Sequence, residues 1–167
     1  TSVEAELKTG ENTSSATFGA AVGTATDYYA VYPASETASM ADGVITVTLP
    51  ANQDGSFGAG HVAVAKAADK TFTFTNVNAF LKMTFASAKY TRIVVESVGG
   101  QALAGDLTVT FADGAAVIGS TYANTSSAVE VTSDEAFAAG DLYISVLPGV
   151  THTQGVLVSC YNGAEKV

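Results

Sequence analysis

Short runs of alternating apolar and hydroxyl or small residues recur along the chain, separated by turn dipeptides or prolines. Asp27–Tyr32 ends at Pro33. Val44–Leu49 follows Asp42-Gly43 and ends at Pro50. Proline removes a hydrogen-bond donor from a sheet ladder, and Asp-Gly favours a tight hairpin turn. The pattern predicts two strands here, and we expect them to be neighbours.

The same period predicts strands over the rest of the chain. Thr71–Thr75 alternates Phe and Thr, as in a strand that buries its Phe face. Gly99-Gly100 predicts that the strands on either side of it, Arg92–Val98 and Leu107–Phe111, pair with each other. Val77–Phe85 indicates a short turn that leads into a strand. The remaining predicted strands are Val62–Ala65, Ala128–Thr132, Leu142–Leu147 and Val156–Tyr161.

Strands at a spacing of roughly ten residues, without an amphipathic helix, are typical of a sandwich of two sheets. We therefore expect an all-β fold with little or no helix, an antiparallel two-sheet β-sandwich, in one domain over residues 1–167. The residues predicted to share its core are Phe72, Phe74, Leu81, Phe85, Val94, Leu107, Val109, Ile144 and Val146.

Composition fits a folded domain with an acidic surface. The chain is 47% hydrophobic and 14% charged, and its 16 acidic and 7 basic residues give a net charge of −9. Such a surface repels phosphate backbones, and the seven cations do not cluster, so we expect no nucleic-acid partner. No run approaches the roughly 18 to 20 apolar residues of a membrane helix, which predicts no transmembrane segment.

Candidate chemistry is sparse. His61 and His152 lie far apart in sequence without a metal-binding spacing, and we interpret both as loop residues, His152 as a solvated turn residue. Asn52–Gly55 shares oxygen ligands and a glycine with calcium loops, but it lacks the later bidentate Glu. Asp134-Glu135 is better explained as the start of a turn. The sequence therefore predicts no enzyme, no catalytic residues, no metal site and no cofactor.

Two further features of the sequence bear on reactivity and binding. Cys160 lies in an apolar strand, where alternation places it on one face with Val156 and Val158, and a buried inert thiol is expected. Tyr28–Tyr32 holds three tyrosines, which could stack on sugars or be shared between the core and its rim. Alternation places Tyr28 and Tyr32 on one face and Tyr29 on the other.

Five phrases, taken in order, resemble the fimbrillin-like surface proteins of Bacteroides and its relatives. They are YYAVYPAS (Tyr28–Ser35), GVITVTLPANQ (Gly43–Gln53), VAVAKAADKTFTFTNVNAFLKMTF (Val62–Phe85), GGQALAGDLTVTFADG (Gly99–Gly114) and FAAGDLYISVLPG (Phe137–Gly149). The resemblance implies a β-sandwich of the transthyretin-like or fimbrillin type. It also implies a structural or adhesive subunit of type V pili, exported as an outer-membrane-anchored lipoprotein precursor to the cell surface.

In that family, subunits join by donor-strand exchange, so the implied partners are other pilus subunits or further copies of this chain. The N-terminal lipobox cysteine and the Trp-containing strand of the family are missing, which predicts a processed subunit or part of a longer protein. The alternative function is a carbohydrate-binding or adhesin domain that contacts glycans through Tyr28–Tyr32 or the loop over residues 51–60.

The terminal segments are the candidate donor strands. In Thr1–Thr9, apolar Val3, Ala5 and Leu7 alternate with charged residues, which predicts a strand with one apolar face. An ordinary first strand of the domain explains the same pattern equally well. The tail beyond Val156 is the second candidate donor.

Overall fold

A computed structural model describes residues 3–9, 17–35, 37–55 and 60–167 of the chain. Seventeen strands lie in these ranges, and the described segments between them are turns and irregular connections. The strands are β1 (Glu6–Thr9), β2 (Thr17–Gly19), β3 (Tyr28–Tyr32), β4 (Ser39–Ala41), β5 (Val44–Leu49), β6 (Asn52–Gln53), β7 (Ala63–Ala67), β8 (Thr75–Asn76), β9 (Ala79–Phe85), β10 (Arg92–Ser97), β11 (Ala104–Ala112), β12 (Ala115–Ile118), β13 (Ala123–Ser126), β14 (Ala128–Thr132), β15 (Gly140–Val146), β16 (Val156–Asn162) and β17 (Glu165–Lys166).

Hydrogen bonding groups these strands into five sheets. The two largest have the orders β17-β16-β10-β14-β6 and β12-β11-β5-β4, with β13 also paired to β11. The smaller ones are β3-β7-β8, β15-β9 and β1-β2. The pairings are antiparallel except that of β14 with β6, which is parallel. The predicted all-β sandwich fold is confirmed.

The sheet faces enclose two hydrophobic clusters. In the first, residues of β5 and β11 meet residues of β3 and β7. In the second, residues of β10 and β14 meet residues of β9 and β15. The clusters adjoin where the backbone N–H of Leu147, in the first, donates to the carbonyl of Leu103, in the second, at 2.9 Å. This hydrogen bond directly links the two clusters.

Tight turns fall where the sequence predicts them. Asp42 and Gly43 have φ of 51° and 77° and join β4 to β5. Asp113 and Gly114 have φ of 50° and 80° and join β11 to β12. Two consecutive residues with positive φ match the twist of a two-residue hairpin, which explains the preference for Asp-Gly.

Two predicted strand pairings are wrong. β3 pairs with β7 rather than with β5, and the two predicted neighbours instead face each other across the first cluster. β10 pairs with β14 and β16, whereas β11 pairs with β5, β12 and β13. The segment between Gly100 and Ala104 therefore carries the chain from one large sheet to the other instead of closing a hairpin.

The prediction for Thr71–Thr75 is also wrong, since only Thr75 and Asn76 form a strand there. Phe74 is 46% exposed and Phe72 is half-buried, so neither belongs to the core. Val94 is half-buried because it lies on the outer face of β10, between buried Ile93 and Val95. The other predicted core residues hold: Leu107, Val109, Ile144 and Val146 are buried, and Leu81 and Phe85 pack against the second cluster.

Candidate functional site

Strand β16 lies near one edge of the sheet β17-β16-β10-β14-β6, where its outer side is only partly paired. It pairs with β10 over six residue pairs, from Val156 opposite Ser97 to Tyr161 opposite Arg92. On its other side, β17 pairs only with Tyr161 and Asn162, and the Cys160 carbonyl accepts a hydrogen bond from Val167. Within the described residues, no strand pairs with the second side of Val156–Ser159. We call this stretch the open edge.

The backbone groups on the open edge can be assigned from the ladder to β10. The Val98 N–H donates to the Gly155 carbonyl at 3.1 Å, so this carbonyl points toward β10, whereas the Cys160 carbonyl accepts from Val167 on the opposite side. Successive residues of a strand direct their N–H and C=O groups to alternate sides. Leu157 and Ser159 therefore bond to β10, whereas the N–H and C=O groups of Val156 and Val158 point away from β10.

Three of the four side chains of the open edge are apolar and exposed, whereas Ser159 is buried at 3% exposed. Val156 is 39% exposed, Leu157 50% and Val158 41%. Protein edge strands are commonly protected by charged residues, Pro or bulges, and Val156–Asn162 contains no charged residue and no Pro. This edge is therefore the strongest candidate interaction surface among the described residues.

The register with β10 gives β16 the predicted alternation, with Val156, Val158 and Cys160 opposite Ser97, Val95 and Ile93. Burial does not follow these two faces, because Val156 and Val158 are exposed whereas Ser159 on the other face is 3% exposed. Cys160 packs against the second cluster, and burial raises the pKa of its thiol. Cys160 is half-buried, so the predicted buried thiol is found only in part.

A second surface gathers aromatic rings on the outer side of β3. Lys70 lies 5.1 Å above the ring of Tyr28, and Phe74 contacts Tyr32 edge-on with ring centroids 6.5 Å apart. Phe72 lies 6.2 Å from Phe74. The segment over residues 70–74 therefore runs across this face of β3. We call Tyr32, Phe72 and Phe74 the aromatic patch.

The predicted division of the three tyrosines between two faces is confirmed. Tyr29 packs against the first cluster and contacts Phe111 at 6.0 Å. Tyr28 lies on the outer face, where its hydroxyl bonds to the Gly23 carbonyl and to the Ala25 N–H. Tyr32 is 45% exposed and is therefore the tyrosine most available to a ligand.

The two histidines are held by separate neighbours. His61 Nε2 lies 2.6 Å from Asn76 Oδ1. His152 Nδ1 lies 2.9 Å from the hydroxyl of Ser97. His152 begins a turn, as predicted, because its carbonyl accepts a hydrogen bond from the Gly155 N–H, but the residue is half-buried rather than fully solvated. The described residues contain no group of three or more His, Cys, Asp or Glu side chains able to hold a metal ion.

The loop over residues 51–60 contains a contact that the sequence did not indicate. Gln53 lies in β6, and its side-chain amide bonds to both backbone groups of the buried Ser145. Asn78 completes this network, donating to the Ser145 hydroxyl at 2.8 Å and accepting from the Val62 N–H at 3.0 Å. The only sequence signal was a Gln within a polar stretch. Residues 56–59 of this loop lie outside the described residues.

Asp134-Glu135 follows β14, and Asp134 lines a shallow cleft with Asp54, Thr132 and Ser133.

On the outer face of β9 and β15, Lys82 pairs with Asp141 at 2.7 Å, and Thr84 donates to the same carboxylate. These hydrogen bonds lower the pKa of Asp141, and the bond to Asp141 raises that of Lys82. Both groups are at the surface, so the pair is a solvated salt bridge.

The candidate donor segments have different positions. The tail beyond Val156 belongs to its own large sheet through β16 and β17. β1 pairs with β2 in a separate two-stranded sheet, so it is not a strand of either large sheet. We call β1 and β2 the N-terminal hairpin. Phe18 of β2 is 54% exposed, and Val3, which precedes β1, is 48% exposed.

Comparisons with protein-family models, with curated proteins and with solved structures found no match to this chain. Within the described residues, no helix has the length and apolar character needed to cross a membrane.

Proposed function

We propose that this protein is a structural or adhesive subunit of cell-surface fimbriae, in which a strand of one subunit adds to a sheet of another. In this proposal the precursor is exported, anchored at the outer membrane and incorporated into fimbriae. The observation that carries the proposal is the open edge of β16, whose outward backbone groups pair with no strand among the described residues and lie beside three exposed apolar side chains.

Addition of a strand would pair the outward backbone groups of the open edge and cover its exposed apolar side chains at the same time. The incoming backbone bonds to the outward N–H and C=O groups, and its side chains cover apolar surface. The N-terminal hairpin supplies a second element for assembly, because its sheet is separate from the others, carries exposed Phe18 and follows exposed Val3. The resemblance to fimbrillin-like proteins supports the same function independently of these contacts.

Assembly of the full chain tests the proposal. We expect multimers by light scattering and electron microscopy, and we expect deletion of residues 1–9 to reduce them. A peptide with the sequence of Thr1–Thr9 should bind the shortened chain, whereas a scrambled peptide should not. A full chain that stays monomeric at all concentrations, with a shortened form that is equally stable and ignores the peptide, contradicts the proposed function.

The second candidate function is glycan binding, which the aromatic patch favours. Exposed rings offer apolar faces on which sugar rings can stack, and Tyr32 and Phe74 are each nearly half exposed. On a glycan array, we expect specific binding by the monomer that is lost in Tyr32→Ala. Phe18→Ala is the matched control, because it removes an exposed ring outside the patch. Equal binding by both variants contradicts this function.

A further inference from the structure

The open edge has limits that determine what can pair with it. At one end, β17 occupies the side of Tyr161 and Asn162, and Val167 bonds to the Cys160 carbonyl. At the other end, the Gly155 N–H bonds to the His152 carbonyl, which turns the chain away from the strand direction. The length of strand that β17 leaves unpaired therefore runs from Gly155 to Ser159, with Leu157 as its midpoint, although Ser159 itself is only 3% exposed.

We infer that the open edge pairs with the same edge of a second copy of this chain, antiparallel and centred on Leu157. This inference rests on the proposed assembly by strand addition and names the strand that β16 receives. A long donor strand would extend past Ser159 and meet β17, whereas the same short stretch of a second copy has a matching length. In both copies the open edge is limited by β17 at one end and by the turn at Gly155 at the other, so the two paired lengths match.

The backbone groups select this register. With Leu157 opposite its counterpart, Val156 of each copy lies opposite Val158 of the other. Both valines direct their N–H and C=O groups to the open side, so each facing pair exchanges two hydrogen bonds. A register centred on Val158 instead places Val156 opposite Cys160, whose carbonyl already accepts a bond from Val167.

The side chains fit the same arrangement. The two Leu157 side chains meet in a non-hydrogen-bonded pair, where Cβ atoms lie about 4.5–5.5 Å apart. Val156 and Val158 of opposite copies form β-branched pairs on one face of the joined sheet. All three residues are exposed in the single chain and are covered in the pair.

Electrostatic repulsion does not prevent this contact, although the chain carries a net charge of −9. Gly155–Asn162 contains no charged residue. Glu96, opposite Leu157 on β10, is separated from its counterpart by three strand spacings, about 14 Å in total. This distance exceeds the Debye length of about 8 Å at physiological ionic strength.

Disulfide trapping tests both the contact and its register. In full-length protein carrying Cys160→Ser, Leu157→Cys should give a disulfide-linked dimer under mild oxidation, because the facing Cβ atoms approach bonding distance. Val158→Cys is the matched control, since its counterparts lie diagonally, about 7–8 Å apart. Val98 is 58% exposed but lies one strand away from the open edge, next to Gly155. Val98→Cys should therefore form no disulfide between copies either.

A substitution without cysteine chemistry gives a second measurement. Leu157→Lys should raise the dissociation constant of the dimer at least about tenfold by sedimentation, because it places like charges at the centre of the contact. Since Leu157 is 50% exposed, the melting temperature of the monomer should change by no more than about 2 °C.

The outcomes separate this inference from the proposed function. Failure of Leu157→Cys to cross-link, or equally fast cross-linking of Val158→Cys, overturns the Leu157-centred pair. If Leu157→Cys fails to cross-link while multimers form and are lost on deletion of residues 1–9, the inference is wrong and strand addition by the N-terminal segment stands. If the full chain forms no assembly of any kind, both are wrong.

Discussion

The side-chain amide of Gln53 pairs with the backbone of Ser145 in the way that a neighbouring strand would. Its Nε2 donates to the Ser145 carbonyl at 2.8 Å, and its Oε1 accepts from the Ser145 N–H at 3.0 Å. Nε2 also donates to the Pro50 carbonyl at 3.1 Å. One side chain thus satisfies a fully buried backbone position on β15 and attaches the segment around β6 to it.

Replacing Gln53 by Ala should destabilise the domain by about 1–3 kcal/mol, because the buried N–H and C=O of Ser145 lose their partners. Urea unfolding gives this free energy. Gln154→Ala is the control, since Gln154 is exposed in a turn and its loss should cost about 0.5 kcal/mol or less. Equal effects of the two substitutions would show that the Gln53 pairing does not contribute to stability.

Truncations at Ile144 and Phe74 should differ strongly. Ile144 is fully buried in the second cluster, so Ile144→Ala should cost about 2–5 kcal/mol. Phe74 is 46% exposed and contributes mainly ring contacts, so Phe74→Ala should cost about 1 kcal/mol. Thermal unfolding of both variants checks this order, and a Phe74→Ala protein that fails to fold would contradict it.

Gly105 permits a close approach between β11 and β13. Its φ is 140°, and a Cβ there would lie 2.7 Å from the Ala123 carbonyl oxygen. Gly105→Ala should therefore cost more than Gly114→Ala, where φ is 80° but no atom lies within 4 Å of the added Cβ. The positive φ by itself strains an alanine at either position by about 1–3 kcal/mol. Similar unfolding midpoints for the two variants would argue against a steric role for Gly105.

The Lys82–Asp141 pair should give a small pH dependence. Hydrogen bonds from Lys82 and Thr84 hold the pKa of Asp141 below its ordinary value of 3.8. A group whose pKa is lower in the folded state stabilises the protein at pH values above its pKa in the unfolded chain. This stabilisation is lost as the pH falls through the folded-state pKa. The difference in melting temperature between the native protein and Asp141→Asn should therefore shrink below about pH 4. A constant difference down to pH 2 would exclude this linkage.

Local alternation was enough to predict most strands, but it could not predict their order. β5 and β14 have the predicted bounds, since β-branched residues and adjacent turns determine a strand through near neighbours. Pairing depends on contacts distant in sequence. Gly99-Gly100 therefore suggested a hairpin, although the chain continues into the other large sheet.

The error at Thr71–Thr75 has a specific physical reason. Ala63 and Ala65 lie opposite Tyr32 and Ala30 on the outer face of β7, yet they are 3% and 0% exposed. The segment over residues 70–74 lies across this face, with Lys70 over Tyr28 and Phe74 against Tyr32. Phe-Thr alternation is compatible with this outer position as well as with a strand, and only tertiary contacts distinguish them.

The candidate site was predictable only in part. The faces of β16 followed from alternation, and the lack of charge in Val156–Asn162 was visible in the sequence. Its place at the side of a sheet was not, because that depends on which strands pair with β10. The hydrogen bonds of Gln53 to Ser145 join residues far apart in the chain and have no local signature.

The short accessible length of β16 has a consequence for fibre growth. When β16 pairs with β16 of a second copy, the same edge of both subunits is used. Such a contact is isologous, so it gives a dimer that cannot extend further through this edge. Propagation then requires a different, heterologous contact, for which the N-terminal hairpin with exposed Phe18 is available. Removal of that hairpin should leave dimers rather than monomers. In the proposed assembly, β16 thus defines a two-chain building block, and the second contact determines how many such blocks join.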